Sequence, residues 1–228
     1  MELTYVGIYL LILVVPLIAS LNIKMTYSKY KGIKNKQNLS GFDVARKVLD
    51  ANGLEKMYIV EHRAGELSDH YDPKQKVVRL STDIFHGETI AAAAVAAHEC
   101  GHAIQDKTGY AMMKIRSALV PVVNLVTNAA YIMFVISLIL QMFDLIMIAI
   151  VSILFSLVFQ LVTLPVEFDA SKRALQQLKE LGLVDEEEHE GTKKMLTAAA
   201  LTYVAAVLSS LLNLFRYIMA YAQENNRR

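Results

Sequence analysis

The fold is decided by one alanine-rich stretch, Ala92-Ala93-Ala94-Val95-Ala96-Ala97-His98-Glu99-Cys100-Gly101-His102-Ala103-Ile104. Its centre is the pattern His-Glu-x-x-His, and the surrounding alanines favour a helix. Histidines four residues apart lie on one helical face, so the imidazoles of His98 and His102 can reach a single metal ion. Glu99 lies beside that pair, where it can take a proton from a water activated by the metal. The stretch therefore predicts a catalytic metal-binding helix; the alternative is a helix with two surface histidines.

The composition predicts membrane segments before any is located. The chain has 228 residues, of which 54% are hydrophobic and 20% charged, and its mean hydropathy is +0.35. The hydrophobic share and the mean hydropathy lie above the usual range of soluble proteins, and the charged share lies below it. A net charge of +1 argues against a nucleic-acid partner bound by bulk electrostatics. Because Cys100 is the single cysteine, a disulfide within the chain and a thiolate cluster are excluded, and zinc must be held by histidine and carboxylate.

Three apolar runs are long enough to cross a bilayer, at 3–21, 118–140 and 145–164. Five lysines lie between residues 24 and 36, and no acidic residue occurs between the first run and Asp43. The positive-inside rule therefore predicts an N-terminus outside the cell and a cytoplasmic segment after the first run. Glu2 at the start favours a retained anchor over a cleaved signal peptide. The connection at 141–144 has no Lys or Arg, as expected of an outer hairpin. The last apolar segment, 196–221, is either a fourth span or a helix packed on the domain or at the interface.

Between the first and second runs, the pattern predicts a small soluble domain. Ser40 can cap a short helix over 40–52, which Asn52-Gly53 ends. Candidate strands follow at 57–62, 66–71 and 76–81. The third of these has two interpretations. Val77, Val78, Arg79 and Leu80 either form an edge strand that lies along an extended substrate or belong to a sheet that only covers the catalytic helix.

A catalytic zinc site needs three protein ligands and one open position, so one more ligand must come from elsewhere. The candidates are Glu167, Asp169, Asp106, His70 and His62. Glu167 is favoured, because two membrane crossings after His102 return the chain to the same side, where Pro165 can begin a helix that carries it. Asp169 lies on another face of that helix and can pair with Arg173. Asp106 shares the face of His102 and is better placed to orient a histidine than to bind metal.

Five stretches of the sequence carry a resemblance to a known family. They are LSDHYDP at 67–73, VRLS at 78–81, AHECGHAIQ at 97–105, LPVEFDAS at 164–171 and AALTY at 199–203. They resemble the YugP-type membrane zinc metallopeptidases and, more distantly, gluzincins such as the HtpX and CAAX-processing membrane endopeptidases. The resemblance covers nearly the whole chain. It implies an integral-membrane peptidase with one catalytic Zn²⁺, the ligands His98, His102 and Glu167, and Glu99 as general base.

One position departs from the HtpX-like pattern. That pattern has an aspartate four residues after the glutamate ligand, where it orients a zinc histidine, and this chain has Ser171. Either Ser171 makes a weaker contact with the zinc-binding histidine, or another carboxylate, such as that of Asp106, orients the imidazole ring. The tetrahedral oxyanion of amide hydrolysis needs a further donor, for which Tyr203, His70 and Arg173 are candidates.

The expected architecture is mainly α and integral to the membrane, with three or four transmembrane helices and a small α+β zincin-like domain. The predicted segments are a transmembrane anchor at 1–23, a cytoplasmic subdomain with the catalytic helix at 24–116, a transmembrane hairpin at 117–164, a cytoplasmic helix with the third ligand at 165–195, and a C-terminal membrane-associated or transmembrane helix at 196–228.

The expected function is that of a zinc-dependent endopeptidase of the cell membrane, which cleaves membrane-associated proteins or peptides at the cytoplasmic face. A site-2-type intramembrane protease is disfavoured, because its His-Glu-x-x-His would lie within a full-length span, and the apolar part at 90–97 is too short for one. The alternative from a different class is a catalytically weak or inactive zinc-binding scaffold. Glu99 argues against it, because a structural site has no use for an adjacent base.

Overall fold

The computed structural model describes residues 2–140 and 146–225, which are mostly helical. The predicted hairpin connection at 141–144 lies outside the described residues. In chain order the elements are α1 (Glu2–Lys31), α2 (Gly41–Ala51), β1 (Tyr58–His62), β2 (His70–Asp72), β3 (Val77–Ser81), α3 (Thr82–His86), α4 (Ile90–Lys107), α5 (Ala111–Leu140), α6 (Ile146–Glu180) and α7 (Glu186–Asn225).

Four of these helices are long and apolar enough to cross a membrane. The candidate spans are Val6–Lys31, Ala111–Met133, Ile150–Glu180 and Glu186–Met219. Large apolar side chains on α1 point outward, with Leu13 69% and Ile18 60% exposed, which is favourable in lipid and not in water. The predicted fold class is therefore confirmed: a mainly helical chain with four candidate spans and a small sheet.

The chain divides into two compact units. The first, here called the helical unit, contains Met1–Ser20, Lys114–Leu164 and Thr202–Arg228. The second, here called the mixed unit, contains Leu21–Met113 and Pro165–Leu201. The mixed unit holds the sheet, α2, α3, α4 and the second part of α6. All three predicted metal ligands belong to it.

The core of the mixed unit is built around α4. Nearly all alanines of this helix are fully buried, and their small side chains let neighbouring backbones approach closely. Helix α2 packs on it through Val44, Ala45, Val48 and Leu49, none of which is exposed. The predicted helix over 40–52 is confirmed, with a capping box in which Ser40 and Asp43 exchange side-chain and backbone hydrogen bonds.

The sheet has the order β1-β3-β2, with β1 parallel and β2 antiparallel to β3. The interpretation of Val77, Val78, Arg79 and Leu80 as an edge strand is therefore wrong. Both sides of β3 are paired, so its backbone has no groups left for a substrate. Strand β2 is also shorter than predicted, because Gly65 at φ +101° and Leu67 at φ +58° turn the chain before His70.

The prediction that a helix begins at Pro165 is wrong as well. Helix α6 runs from Ile146 through Pro165 to Glu180 without a break. Pro16 and Pro121 likewise lie inside α1 and α5. Proline removes one backbone hydrogen bond but does not end a long apolar helix, in which neighbouring groups satisfy the freed carbonyl. Residues 167 and 171 consequently share one face of a regular helix.

The acidic run at 185–190 leads into α7, which begins at Glu186. The Asp185 carboxylate accepts from the Glu188 backbone N–H at 2.9 Å, and the Glu188 carboxylate accepts from the Asp185 N–H at 2.9 Å. This reciprocal cap satisfies amides at the helix N-terminus, where negative charge is also favourable.

Candidate metal centre

Helix α4 presents His98 and His102 on one face, as the spacing predicts. The helix is capped by the Thr89 hydroxyl, which accepts from the Ala92 backbone N–H at 3.1 Å. The two imidazole rings lie 4.8 Å apart between centroids and are nearly perpendicular, at 82°. Both Nε2 atoms are directed at the same carboxylate oxygen, which belongs to Glu167 of α6.

Glu167 reaches the histidines because α4 and α6 approach each other unusually closely. A Cβ at Gly101 would lie 2.5 Å from the Ala170 carbonyl oxygen, a distance that no real side chain tolerates. Ala170 itself is fully buried. The glycine between the two histidines thus lets the two backbones meet, and the carboxylate one helical turn before Ala170 enters the site.

The three side chains fit a metal ion by their distances. Glu167 Oε2 lies 3.2 Å from His98 Nε2 and 3.5 Å from His102 Nε2. Ligand atoms at the usual distance from a tetrahedral zinc ion lie about 3.3–3.4 Å from one another. The side chains of His98, His102 and Glu167 are 14%, 8% and 3% exposed, so the cluster is buried and most open at His98.

The other nitrogen of each ring is also engaged. His98 Nδ1 lies 3.2 Å from the Ser171 hydroxyl, and His102 Nδ1 lies 3.0 Å from Gln105 Oε1. An amide oxygen only accepts, so His102 donates from Nδ1 and keeps the Nε2 lone pair toward Glu167. The His102 Nε2 lone pair and the Glu167 Oε2 atom lie 3.5 Å apart, and two such acceptors repel each other unless a cation or a proton lies between them. The donor set therefore suits a metal ion.

A proton competes with a metal ion for this position. Burial by itself would lower the pKa of His102, but the hydrogen bond with Glu167 and the charge of the nearby carboxylates raise it. Metal binding at the site therefore requires that His102 be deprotonated.

Gln105 belongs to a buried chain of hydrogen bonds that the sequence did not reveal. Its Nε2 donates to the Val166 carbonyl at 2.7 Å and to the Asp169 carboxylate at 2.9 Å. Asp169 also accepts from Arg173 Nε at 2.6 Å, which confirms the predicted pair. Gln105 is completely buried and lies one turn after His102, and a fully buried glutamine on a metal-binding helix is the signal that could have identified it.

Glu99 is buried beside the histidines, with 7% of the residue exposed. Within the part of the chain that the structure describes, no hydrogen bond engages its carboxylate, which leaves the oxygens available to water. Asp69 is a further acid near it. Burial raises the pKa of Asp69, the Ser81 backbone N–H at 2.7 Å opposes this, and the Glu99 charge adds to the rise.

The remaining predicted site residues lie elsewhere. Asp106 is not at the histidine rings, because its carboxylate accepts from the Tyr71 hydroxyl at 2.6 Å and pairs with Lys76, which ties β2 to the end of α4. His70 is exposed on β2, with Nδ1 2.9 Å from the Ser68 carbonyl. Arg173 is held by Asp169. Tyr203 is half-buried on α7, in the helical unit.

Cys100, between Glu99 and Gly101, faces away from the metal site. It is fully buried, and its Sγ lies 3.6 Å from the Ala45 carbonyl of α2. Burial, assisted by the Glu99 charge, raises the pKa of the Cys100 thiol. The thiol therefore stays protonated at neutral pH, as expected of a packing residue and not of a nucleophile.

Comparison with known proteins gives two matches that cover most of the chain. The model of the family described as "Putative neutral zinc metallopeptidase" matches residues 5–222. A protein of Bacillus subtilis (strain 168), "Putative membrane protease YugP", is 41% identical over 203 residues, which are 89% of this chain and 90% of the relative. No solved structure matches the chain.

Proposed function

Since the chain belongs to the "Putative neutral zinc metallopeptidase" family, we propose that it is a zinc-dependent endopeptidase that hydrolyses peptide bonds at the cytoplasmic face of the cell membrane. The observation that carries the proposal is the convergence of His98, His102 and Glu167. Their ligand atoms all lie within 4.8 Å of one another, and the Glu99 carboxylate lies near enough to His102 for its charge to act on that ring. One zinc ion is the cofactor that this donor set and the family favour.

Each residue has a role in the proposed reaction. His98, His102 and Glu167 hold the ion, which when bound supplies a Lewis acid that polarises the peptide carbonyl and acidifies water. Glu99 accepts the proton of the attacking water and passes it to the leaving amine. Gln105 keeps His102 in the tautomer that leaves Nε2 free, and Ser171 fixes the orientation of the His98 ring through Nδ1. His70 and Arg173, which belong to the same unit as the three ligands, are the candidates for the oxyanion donor.

The substrate would lie along β2 and not along β3. Within the described residues the outer edge of β2 pairs with no other strand, and β2 is tied to α4 by the Tyr71–Asp106 hydrogen bond. Asp69, directly before β2, lies close enough to Glu99 for their charges to interact. An extended peptide that adds to this edge therefore passes near the proposed base.

The membrane orientation is proposed from the charge pattern. Lysines follow the apolar part of α1, and Lys114 and Arg116 lie at the start of α5. By the positive-inside rule, the C-terminal end of α1 and the N-terminal end of α5 both adjoin the cytoplasm. The substrates would then be membrane proteins or their cytoplasmic juxtamembrane segments.

The test is proteolysis by the purified full chain in lipid nanodiscs, with β-casein as an unfolded probe. Glu99→Gln should lower cleavage by at least about a hundredfold while zinc stays bound, because the base is lost and the ligands are not. Glu55→Gln, which changes an exposed glutamate of the same unit, should cleave like the wild type. If Glu99→Gln cleaves like the wild type, the proposed base is wrong. A wild type that binds zinc but cleaves neither casein nor a membrane-protein mixture supports the scaffold alternative.

A further inference from the structure

Helix α5 exposes polar side chains along one face of an apolar run. These residues, here called the polar stripe, are Ser117, Asn124, Thr127, Asn128 and Tyr131, and all five are exposed. At about 100° per residue, the five positions fall within roughly 100° of the helix circumference. Nothing in the proposed peptidase reaction uses them.

The two asparagines of the polar stripe lie at membrane depth. Helix α5 is a candidate membrane span, and Lys114 and Arg116 lie at its start. With a rise of about 1.5 Å per residue, Asn124 and Asn128 lie about 12 and 18 Å beyond Arg116 along the helix axis. The hydrocarbon core is about 30 Å thick, so a span that starts at Arg116 has both carboxamides inside it. Among the described residues no hydrogen bond engages either carboxamide, and lipid tails offer neither donor nor acceptor.

The other long helices of the helical unit treat their polar residues differently. From residue 10 to residue 18, the exposed side chains of α1 are all Leu, Val or Ile. The polar side chains in the apolar parts of α6 and α7 are half-buried or buried, as in Ser152, Ser156, Gln160, Thr163, Ser209, Ser210 and Asn213. Within the described parts of these helices, α5 is therefore the exception.

Helix α5 uses another face for packing within the chain. Arg116, Leu119, Val123 and Val126 are half-buried and lie on one side of the helix. The polar stripe lies about 100° away from that side and is left free. Polar side chains within a membrane span hydrogen-bond across to neighbouring helices. A further transmembrane helix is therefore the kind of partner that this face fits.

A second copy of the chain meets the requirements of the polar stripe. A carboxamide both donates and accepts, so Asn124 and Asn128 can each pair with the same residue of another copy. Because copies of a membrane protein insert in one orientation, their stripes lie at the same depth, related by a twofold axis along the membrane normal. A helix of an unrelated protein would need polar groups at both of these depths.

The spacing along the polar stripe also suits a pair of parallel helices. Ser117, Asn124 and Tyr131 are seven residues apart, and Thr127 follows Asn124 by three. This is the repeat of helices that wind around each other with a left-handed supercoil, the commonest packing of transmembrane helices. An asparagine in such a repeat fixes the register and the number of helices.

We propose that the polar stripe is the contact surface of a parallel homodimer. Asn124 and Asn128 of one copy hydrogen-bond to the same residues of the other copy, within the hydrocarbon core. The dimer does not depend on the peptidase activity. It would bring two candidate metal centres into one assembly.

Energy transfer between donor- and acceptor-labelled full chains in phosphatidylcholine vesicles tests the proposal. The labels are attached to Lys56→Cys in a Cys100→Ser background, and dilution with lipid gives the dissociation constant of the dimer. Asn124→Leu/Asn128→Leu should weaken association at least about tenfold, because both pairs of carboxamides are lost. Ile115→Ala/Val122→Ala, which alters the opposite exposed side of α5, should associate like the wild type.

Asn124→Gln/Asn128→Gln keeps the carboxamides and should associate more tightly than Asn124→Leu/Asn128→Leu, which separates loss of hydrogen bonds from loss of fold. A wild type that shows no energy transfer at any dilution would overturn the proposal, since the polar stripe would then fit a helix of another protein. Equal dissociation constants for Asn124→Leu/Asn128→Leu and the wild type would also overturn it.

Disulfide cross-linking in membranes checks the face directly. In the Cys100→Ser background, Ser117→Cys should form a disulfide between copies on oxidation with copper phenanthroline. Ile115→Cys, two residues earlier and on the other exposed side of α5, should remain monomeric. Equal cross-linking at the two positions would contradict a dimer through the polar stripe.

Discussion

The two histidines of the candidate metal site are held through the ring nitrogen that is not directed at Glu167. Ser171 contacts His98 Nδ1, and Gln105 contacts His102 Nδ1. Neither group carries a charge, so the site lacks the carboxylate–histidine contact that the HtpX-like pattern would supply at position 171. The Asp169 charge reaches His102 only through Gln105. The rings are therefore oriented by neutral hydrogen bonds.

Gln105 should contribute to zinc affinity through its contact with His102. Gln105→Leu keeps the volume but removes the acceptor for His102 Nδ1, so zinc affinity should fall about 10–100-fold. Competition with a fluorescent zinc chelator measures this affinity on the purified chain. Asp106→Asn, at the next position of the same helix, alters a carboxylate that is engaged by Tyr71 and should leave zinc affinity unchanged. Equal affinities of Gln105→Leu and the wild type would refute the role of Gln105.

Residue types and spacing were sufficient to predict some of these contacts and not others. His98, His102 and Glu167 belong to a pattern whose chemistry requires them, and Ser171 follows from its position one turn after Glu167. The contact of Gln105 depends on the side from which α6 approaches α4, and that is a property of tertiary packing. Asp106 is a candidate to orient the His102 ring because it shares that helical face, but its carboxylate instead contacts Tyr71 and Lys76.

Helices α4 and α6 approach each other closely at Gly101 and Ala170, and this contact brings Glu167 to the histidines. Gly101→Ala should separate the helices, since its Cβ would meet backbone and not a movable side chain. We expect zinc affinity to fall at least about tenfold and the melting temperature to decrease. Chelator competition and thermal unfolding monitored by circular dichroism measure the two effects.

Gly7→Ala is the matched control for this substitution. Gly7 also lies within a helix, but a Cβ there meets nothing within 4 Å. Alanine at such a position is neutral or stabilising by up to about 1 kcal/mol. If both alanine variants bind zinc like the wild type, the close approach does not position Glu167.

Element types were more predictable than element order and length. The buried alanines, the Ser40 cap and the Asn52-Gly53 stop specify α2 and α4 locally, and both agree with the structure. Strand order depends on contacts between distant residues, so the sequence left two interpretations of β3 open, and of these the edge strand is wrong because β3 is central. The helix break at Pro165 was predicted from a rule for helices in water, and α6 continues through it.

The proposed membrane orientation of the whole molecule makes the mixed unit inaccessible to reagents outside the cell. Lys56 is exposed in the mixed unit. In a Cys100→Ser background, Lys56→Cys should react with a membrane-impermeant maleimide only after the cells are permeabilised, because that unit is proposed to be cytoplasmic. Labelling of intact cells, compared with an intracellular marker protein, measures this. Labelling before permeabilisation would place the mixed unit outside.

The central claim is that His98, His102 and Glu167 together bind one zinc ion, and metal analysis of the purified full chain tests it most directly. Inductively coupled plasma mass spectrometry should find about one zinc ion per chain in the wild type. Glu167→Ala should reduce this to a small fraction, whereas Glu180→Ala, an exposed glutamate on the same helix, should retain it. A wild type without zinc, or a Glu167→Ala variant with a full complement of zinc, would contradict the account.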